Sequence, residues 1–280
     1  MISRSEPTVP SSPAQPESAV PSRNLDDWAT IAAIGTLACI TDTMLHEGVG
    51  HGGAALWSGA SRIVMTTVSM NANLDNKWIE AAGTLVNLIA AAILWLLLRT
   101  AKIRAPRARY FLVLTFAFNV FSGTGYFLFS GVTDFGDWSV VIQGLQPHWL
   151  WRAALIAIGI AAYWFAIVLV GSLLRPYLGE KGGHSPRCRR LTWIPYVTAV
   201  ALAACGSIFN PLGLPLLWQS ALPATMGANA GMISMVNSIR PRPPQEDDPG
   251  PISRSVAWIA AAIVLALVYV LVVGCGVHLR

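Results

Sequence analysis

Six long apolar stretches alternate with short polar ones along the chain, over about residues 28–46, 79–98, 110–131, 149–174, 192–209 and 255–276. Most come near the ~20 residues that a helix needs to cross the hydrocarbon core of a bilayer. The pattern predicts an all-α polytopic membrane protein with six or seven transmembrane helices. The stretch 212–236 decides between these numbers. It follows the break "FNPLGLP" and holds Pro215, Pro223, Gly227 and Gly231, which suits a seventh span, a re-entrant segment or an interfacial helix. A different period marks "RIVMTTVSM" from Arg62 to Met70, where apolar and polar residues alternate as they do along a strand. Residues 1–27 are rich in Pro and Ser and mix both charge signs, so they read as a disordered tail with no cleaved leader. A polar loop at 239–253 separates the last two apolar regions.

Composition excludes an ordinary soluble domain. Of 280 residues, 54% are hydrophobic, only 12% are charged, and eleven are tryptophan. The net charge of +5 does not point to nucleic acid, because the basic residues sit in short loops and form no amphipathic face. They report topology instead. Arg99, Lys102, Arg104, Arg107 and Arg109 share one loop, and Arg175, Lys181, Arg187, Arg189 and Arg190 share another two spans later, hence on the same side. The 58–77 loop has only Arg62 and Lys77. The positive-inside rule therefore puts the two basic loops and the N-terminus in the cytoplasm, as for an integral protein of a bacterial inner membrane. Cys39, Cys205 and Cys275 lie in apolar runs and Cys188 in a basic loop, so no disulfide framework is expected.

Ionisable groups inside a span are expensive unless they are paired, face a cavity or bind metal, so their positions carry the chemistry. Asp42, His46, Glu47 and His51 continue the first span, with His46 about 27 Å along it from Trp28 at 1.5 Å per residue. The third span runs the same way, and its acidic residues, Asp134 and Asp137, surface at the same membrane face. The second span runs back between them and carries Asn87 at a similar depth. Each could be a helix–helix hydrogen-bonding partner. Two imidazoles and a carboxylate converging from separate stretches instead favour a metal site. His46 and His51 are five apart, which on a regular α-helix sets them about 140° apart and prevents them from sharing an ion. A π-bulge absorbs one such residue, and Gly48, Gly50, Gly52 and Gly53 make the segment deformable enough to form one.

The order "HEGVGHGGAALWSGA", "SRIVMTTVSMNAN" and "WIEAAGTLVNLIAAAILWLLL" resembles the site-2 protease family of intramembrane zinc metalloproteases. The likeness covers about residues 28–140, the region it marks as a three-helix catalytic core, with 141–280 as further transmembrane helices. It implies a short β-hairpin after the first helix. It also implies Zn2+ held by His46, His51 and Asp137, Glu47 as general base, and Asn87 as an amide that helps to hold the substrate backbone. The partners implied are a transmembrane protein substrate, unwound before cleavage, and the lipid bilayer. An edge of the strand near 63–70 would pair with the unwound segment.

This chain departs from the family pattern in the extra residue of its His-Glu-x-x-x-His motif, in Thr84 where the family has Pro, and in "TDFGDW" for Leu-Asp-Gly. The expanded motif also resembles that of a family of soluble zinc dipeptidyl peptidases. Gly136 beside Asp137 lets the backbone turn that carboxylate inward, which favours Asp137 over Asp134. His148, His184 and His278 fall in loops or at the end, where solvated surface is expected. The alternative readings of the same residues are a transporter-like protein in which they line an ion path, a zinc-dependent lipid amidase, and a catalytically inactive relative.

Overall fold

The structure, a computed structural model, describes residues 26–74, 76–211, 213, 215, 217–241 and 248–279. Most of the tail expected at 1–27, and residues 242–247 of the polar loop expected at 239–253, lie outside them.

Asp27 caps the first helix, α1 (Trp28–Thr43), by accepting from the Thr30 N–H at 2.8 Å and the Thr30 hydroxyl at 2.7 Å. The hydroxyl contact is the main reason why its carboxyl titrates below the usual range. The helix runs without a break through a π-helical segment, Met44–Gly52, into α2 (Gly53–Trp57). A hairpin follows, β1 (Ile63–Met65) and β2 (Met70–Ala72), then α3 (Lys77–Thr100), α4 (Pro106–Thr133), the short α5 (Asp137–Ile142), α6 (His148–Leu174) and α7 (Pro186–Ile208). Among its described residues the 212–236 region forms no continuous seventh span. Its described part is a π turn, Leu217–Ala221, and two short helices, α8 (Leu222–Ala228) and α9 (Ala230–Ser238), which break at Asn229. Last come α10 (Val256–Val268), a π turn at Tyr269–Val273, and β3 (Val277–His278).

Six of these helices are long and apolar enough to cross a membrane, and 75% of the described residues are helical. α4 is the most enclosed of them and packs against α1, α3 and α6. Phe116, Phe118 and Phe121 of α4 meet Ile31 and Ile34 of α1 in the main core. The outer helices do the reverse of a soluble protein. Ile89 and Ile93 of α3, Trp164 and Phe165 of α6, and Leu267 and Val268 of α10 are exposed. Apolar surface of that extent on helices of that length suits a hydrocarbon surround.

One end of the bundle is tied by charge. Arg187 pairs with Asp26 at 2.8 Å and donates to the carbonyls of Tyr177 and Gly250, while Arg107 donates to Ser253. The two basic loops thus lie on one face with the start of α1, as the span count requires. The hairpin expected after the first helix is present, but the sheet has a third strand: β3 pairs antiparallel with β1, giving the order β2-β1-β3.

Candidate metal centre

The five-residue spacing of the histidines is accommodated as the sequence predicts. Met44–Gly52 is π-helical, and the i→i+5 repeat of that helix stacks residue 51 beside residue 46. The glycines act differently from expectation. None of Gly48, Gly50, Gly52 and Gly53 is among the residues with positive φ, and Gly52 and Gly53 have ordinary helical φ of −63°. Their role shows at the crossing with α3. A β-carbon on Gly50 would lie 2.5 Å from the Gly83 Cα, and one on Gly83 would collide with His51 Nε2 and come within 2.8 Å of His46 Nε2. Glycine at 50 and 83 therefore permits a backbone approach that any side chain would block.

His46 Nε2 and His51 Nε2 lie 3.1 Å apart, and the Asp137 Oδ2 lies 3.2 Å from the first and 3.5 Å from the second. These separations are close to the ~3.3 Å edges of a tetrahedron whose centre is about 2.0–2.1 Å from each nitrogen or oxygen. The tautomers follow from the other ring nitrogens. His46 Nδ1 donates to the Asn87 side-chain carbonyl at 2.7 Å, and His51 Nδ1 donates to the Ile79 carbonyl at 2.7 Å. Both protons being spent there, each neutral ring turns an Nε2 lone pair inward. The Asp137 oxygen that they face receives no hydrogen bond. Three buried lone pairs cannot face one another bare, and a single proton bridges only two of them. A metal ion satisfies all three, and these residues could hold one.

Asp137 stands outside the membrane-spanning helices. Burial alone would raise its carboxyl, yet protons and positive charge on the facing His46 and His51 rings hold it well below the usual carboxylate range when no metal is bound, the place a cation takes when the rings are neutral. Asp137 is aimed inward by its neighbour, since Gly136 has φ +81°, a conformation that favours glycine. Asp134 is elsewhere. It ends α4 in a left-handed conformation, its side chain is 38% exposed, and it binds His148 Nε2 at 3.0 Å and Arg152 at 3.6 Å. His148 therefore has a specific acidic partner rather than a merely solvated position.

Asn87 belongs to a buried hydrogen-bond network. It is fully buried, and its amide is used up: the oxygen accepts from His46, and the nitrogen donates to Asp42 at 2.6 Å and to Asn119 at 3.0 Å. In this arrangement it stands behind the imidazole. Asp42 is fixed in turn by the Ser122 hydroxyl at 2.9 Å, so the carboxylate orients His46 through the amide and not directly. Replacing Asn87 by alanine is expected to weaken metal binding about 10- to 100-fold, the usual loss when a ligand's outer partner is removed. A competition titration with a chromophoric chelator measures it; affinity equal to wild type would show that the network does not hold the ring.

The sequence reading missed three residues of α4: Asn119, Ser122 and Tyr126, whose ring stacks on His46 with centroids 4.8 Å apart. The signal was present. Thr115, Asn119, Ser122 and Tyr126 recur at i, i+4, i+7 and i+11, one face of a helix.

Glu47 is the remaining member. It is buried, its Oε2 has no hydrogen-bond partner, and with His51 and Asp137 it lines a cleft of ≈ 280 Å³. The other walls include the turn and start of β2 (Val68, Ser69, Met70), Glu80 of α3, Tyr126 and Phe135. Set against family models, curated proteins and solved structures, the chain matches none.

Proposed function

We propose that this protein is a zinc-dependent endopeptidase that cuts a peptide bond in a membrane-spanning substrate. The observation that carries the reading is the inward convergence of His46 Nε2, His51 Nε2 and Asp137 Oδ2 beside a buried Glu47, with His51, Asp137 and Glu47 lining one cleft. Zinc suits two imidazoles and one carboxylate, and when bound it supplies Lewis acidity toward a carbonyl and lowers the pKa of water. Glu47 takes the proton of the attacking water and returns it to the leaving amine. The strand-pairing expectation becomes more specific. β1 is filled on both sides, by β2 and by β3. The outer edge of β2 lies next to the cleft through Met70, and a substrate segment added there runs past Glu47 in extended form. The tied basic face is the cytoplasmic one in this reading, so the site opens toward the opposite side of a bacterial inner membrane.

The test is reconstitution of the purified protein into vesicles with a mixture of single-span membrane proteins, followed by mass spectrometry of new peptide termini. Cleavage inside hydrophobic segments is expected, stopped by a chelator and restored by Zn2+. Intact substrates in the zinc-loaded sample, together with vesicle-crossing ion flux, would replace this reading with a transporter.

A further inference from the structure

A second cavity, ≈ 70 Å³, shares Glu47, Val68 and Tyr126 with the cleft but extends into the bundle, where Asp42, Thr67, Asn229 and Tyr269 also line it. Its surroundings are strongly apolar overall, yet its wall is not. Glu47, Thr67 and Asn229 are each at least nine-tenths buried, and each has a side-chain oxygen without a hydrogen-bond partner: Oε2, Oγ1 and Oδ1. The Asn229 amide nitrogen is already used, donating to the Thr225 carbonyl at 3.0 Å. The Tyr269 hydroxyl is used as well, donating to the Thr67 carbonyl at 3.1 Å. The Tyr269 proton is thereby spent, and the second N–H of Asn229 meets none of the three orphaned oxygens.

An oxygen so placed costs free energy unless something donates to it. The space is roughly that of five to seven water molecules at about 10–15 Å³ of probe volume each, and a water needs two to four polar partners, which this wall provides. Water both donates to the bare oxygens and accepts from the Thr67 hydroxyl. A dry, purely apolar void would need none of these groups.

We infer that this cavity is a built-in water site inside the membrane bundle, and that Glu47 draws the hydrolytic water from it while the substrate occupies the cleft. The second half rests on the proposed endopeptidase activity; the first half does not. In the step itself, the water oxygen bonds to the peptide carbonyl carbon as Glu47 takes one proton. The carbon–nitrogen bond then breaks as Glu47 gives that proton to the amine, so the net change is addition of one water across the bond. Glu47 can serve both spaces because its side chain forms part of the wall between them.

Radiolytic hydroxyl-radical footprinting tests the cavity, since bound water generates radicals in place. Tyr269 and Tyr110 are matched probes, 3% and 0% exposed, each donating to a backbone carbonyl, but only Tyr269 touches the cavity. Tyr269 is expected to oxidise several-fold faster than Tyr110 in the wild type. In Asn229→Leu it should fall to the rate of Tyr110, with bound metal unchanged and turnover reduced. Thr67→Val serves the same purpose if Asn229→Leu does not fold. Equal, slow oxidation of the two tyrosines in the wild type overturns the inference. Fast oxidation of Tyr269 in a protein that binds no metal and cuts nothing would uphold the water site and remove the endopeptidase reading instead.

Discussion

His51→Ala is expected to strip the purified protein of its metal, from about one ion per chain to nearly none, as read by elemental mass spectrometry of protein in detergent. The loss should exceed the 10- to 100-fold effect of removing an outer partner such as Asn87, because one of only three inward ligand atoms disappears. Asp137→Ala should do the same for a further reason. Its carboxylate supplies the negative charge of the set, and without it two neutral imidazoles are left to hold a dication. Asp134→Ala is the control. That residue is only three positions from Asp137, yet it is half-exposed and engaged with His148 and Arg152, so its loss should leave the metal in place. Full metal content in both His51→Ala and Asp137→Ala would show that the three residues do not form a centre, whatever their distances.

The readable part of this protein is set by one-dimensional rules. Length and apolarity give the six spans, because a bilayer imposes a thickness on any helix that crosses it. The spacing of His46 and His51 gives the π-helix, because two rings five apart can share an ion only if the helix widens. Gly136 beside Asp137 gives the choice of carboxylate, because its φ of +81° is one that favours glycine.

What escaped depends on contacts between segments. β3 has only two residues, directly after a long apolar span, and nothing in Val277 and His278 says that they will pair with Val64 and Met65 more than 200 positions earlier. Asn87 was placed at the right depth, but its hydrogen-bond partners could not be read. Whether an amide faces a cleft or the back of an imidazole is decided by Asp42 and Asn119 on two other helices. Gly50 was legible as a deformable residue and Gly83 was not singled out, whereas the effect of the two is to let α3 and the π-helical segment touch. In the 212–236 region Pro223 sits in the first turn of α8, but Gly227 lies within that helix, and the break that leaves two short helices falls at Asn229, which neither signal marks.

Glu47→Gln is expected to keep the metal and lose the reaction. Glutamine has nearly the same volume, so the packing around residue 47 and the three ligand atoms need not move, and elemental analysis should match the wild type. Its amide cannot accept a proton, so the step that activates water loses its base. General-base catalysis contributes about 10²- to 10⁴-fold, and the fall in cleavage rate under saturating substrate should lie in that range. The pairing of the two measurements separates chemistry from architecture. His51→Ala should lose zinc and activity together, whereas Glu47→Gln should lose only activity. The position of Glu47 argues for this split: it follows a ligand directly in the sequence, lies in the same buried wall, and holds a carboxylate oxygen to which no protein group donates. Cleavage at the wild-type rate by the zinc-loaded glutamine variant would mean that the carboxylate is a packing element, and the base would have to be sought among the other groups that line the cleft, with Glu80 the first of them.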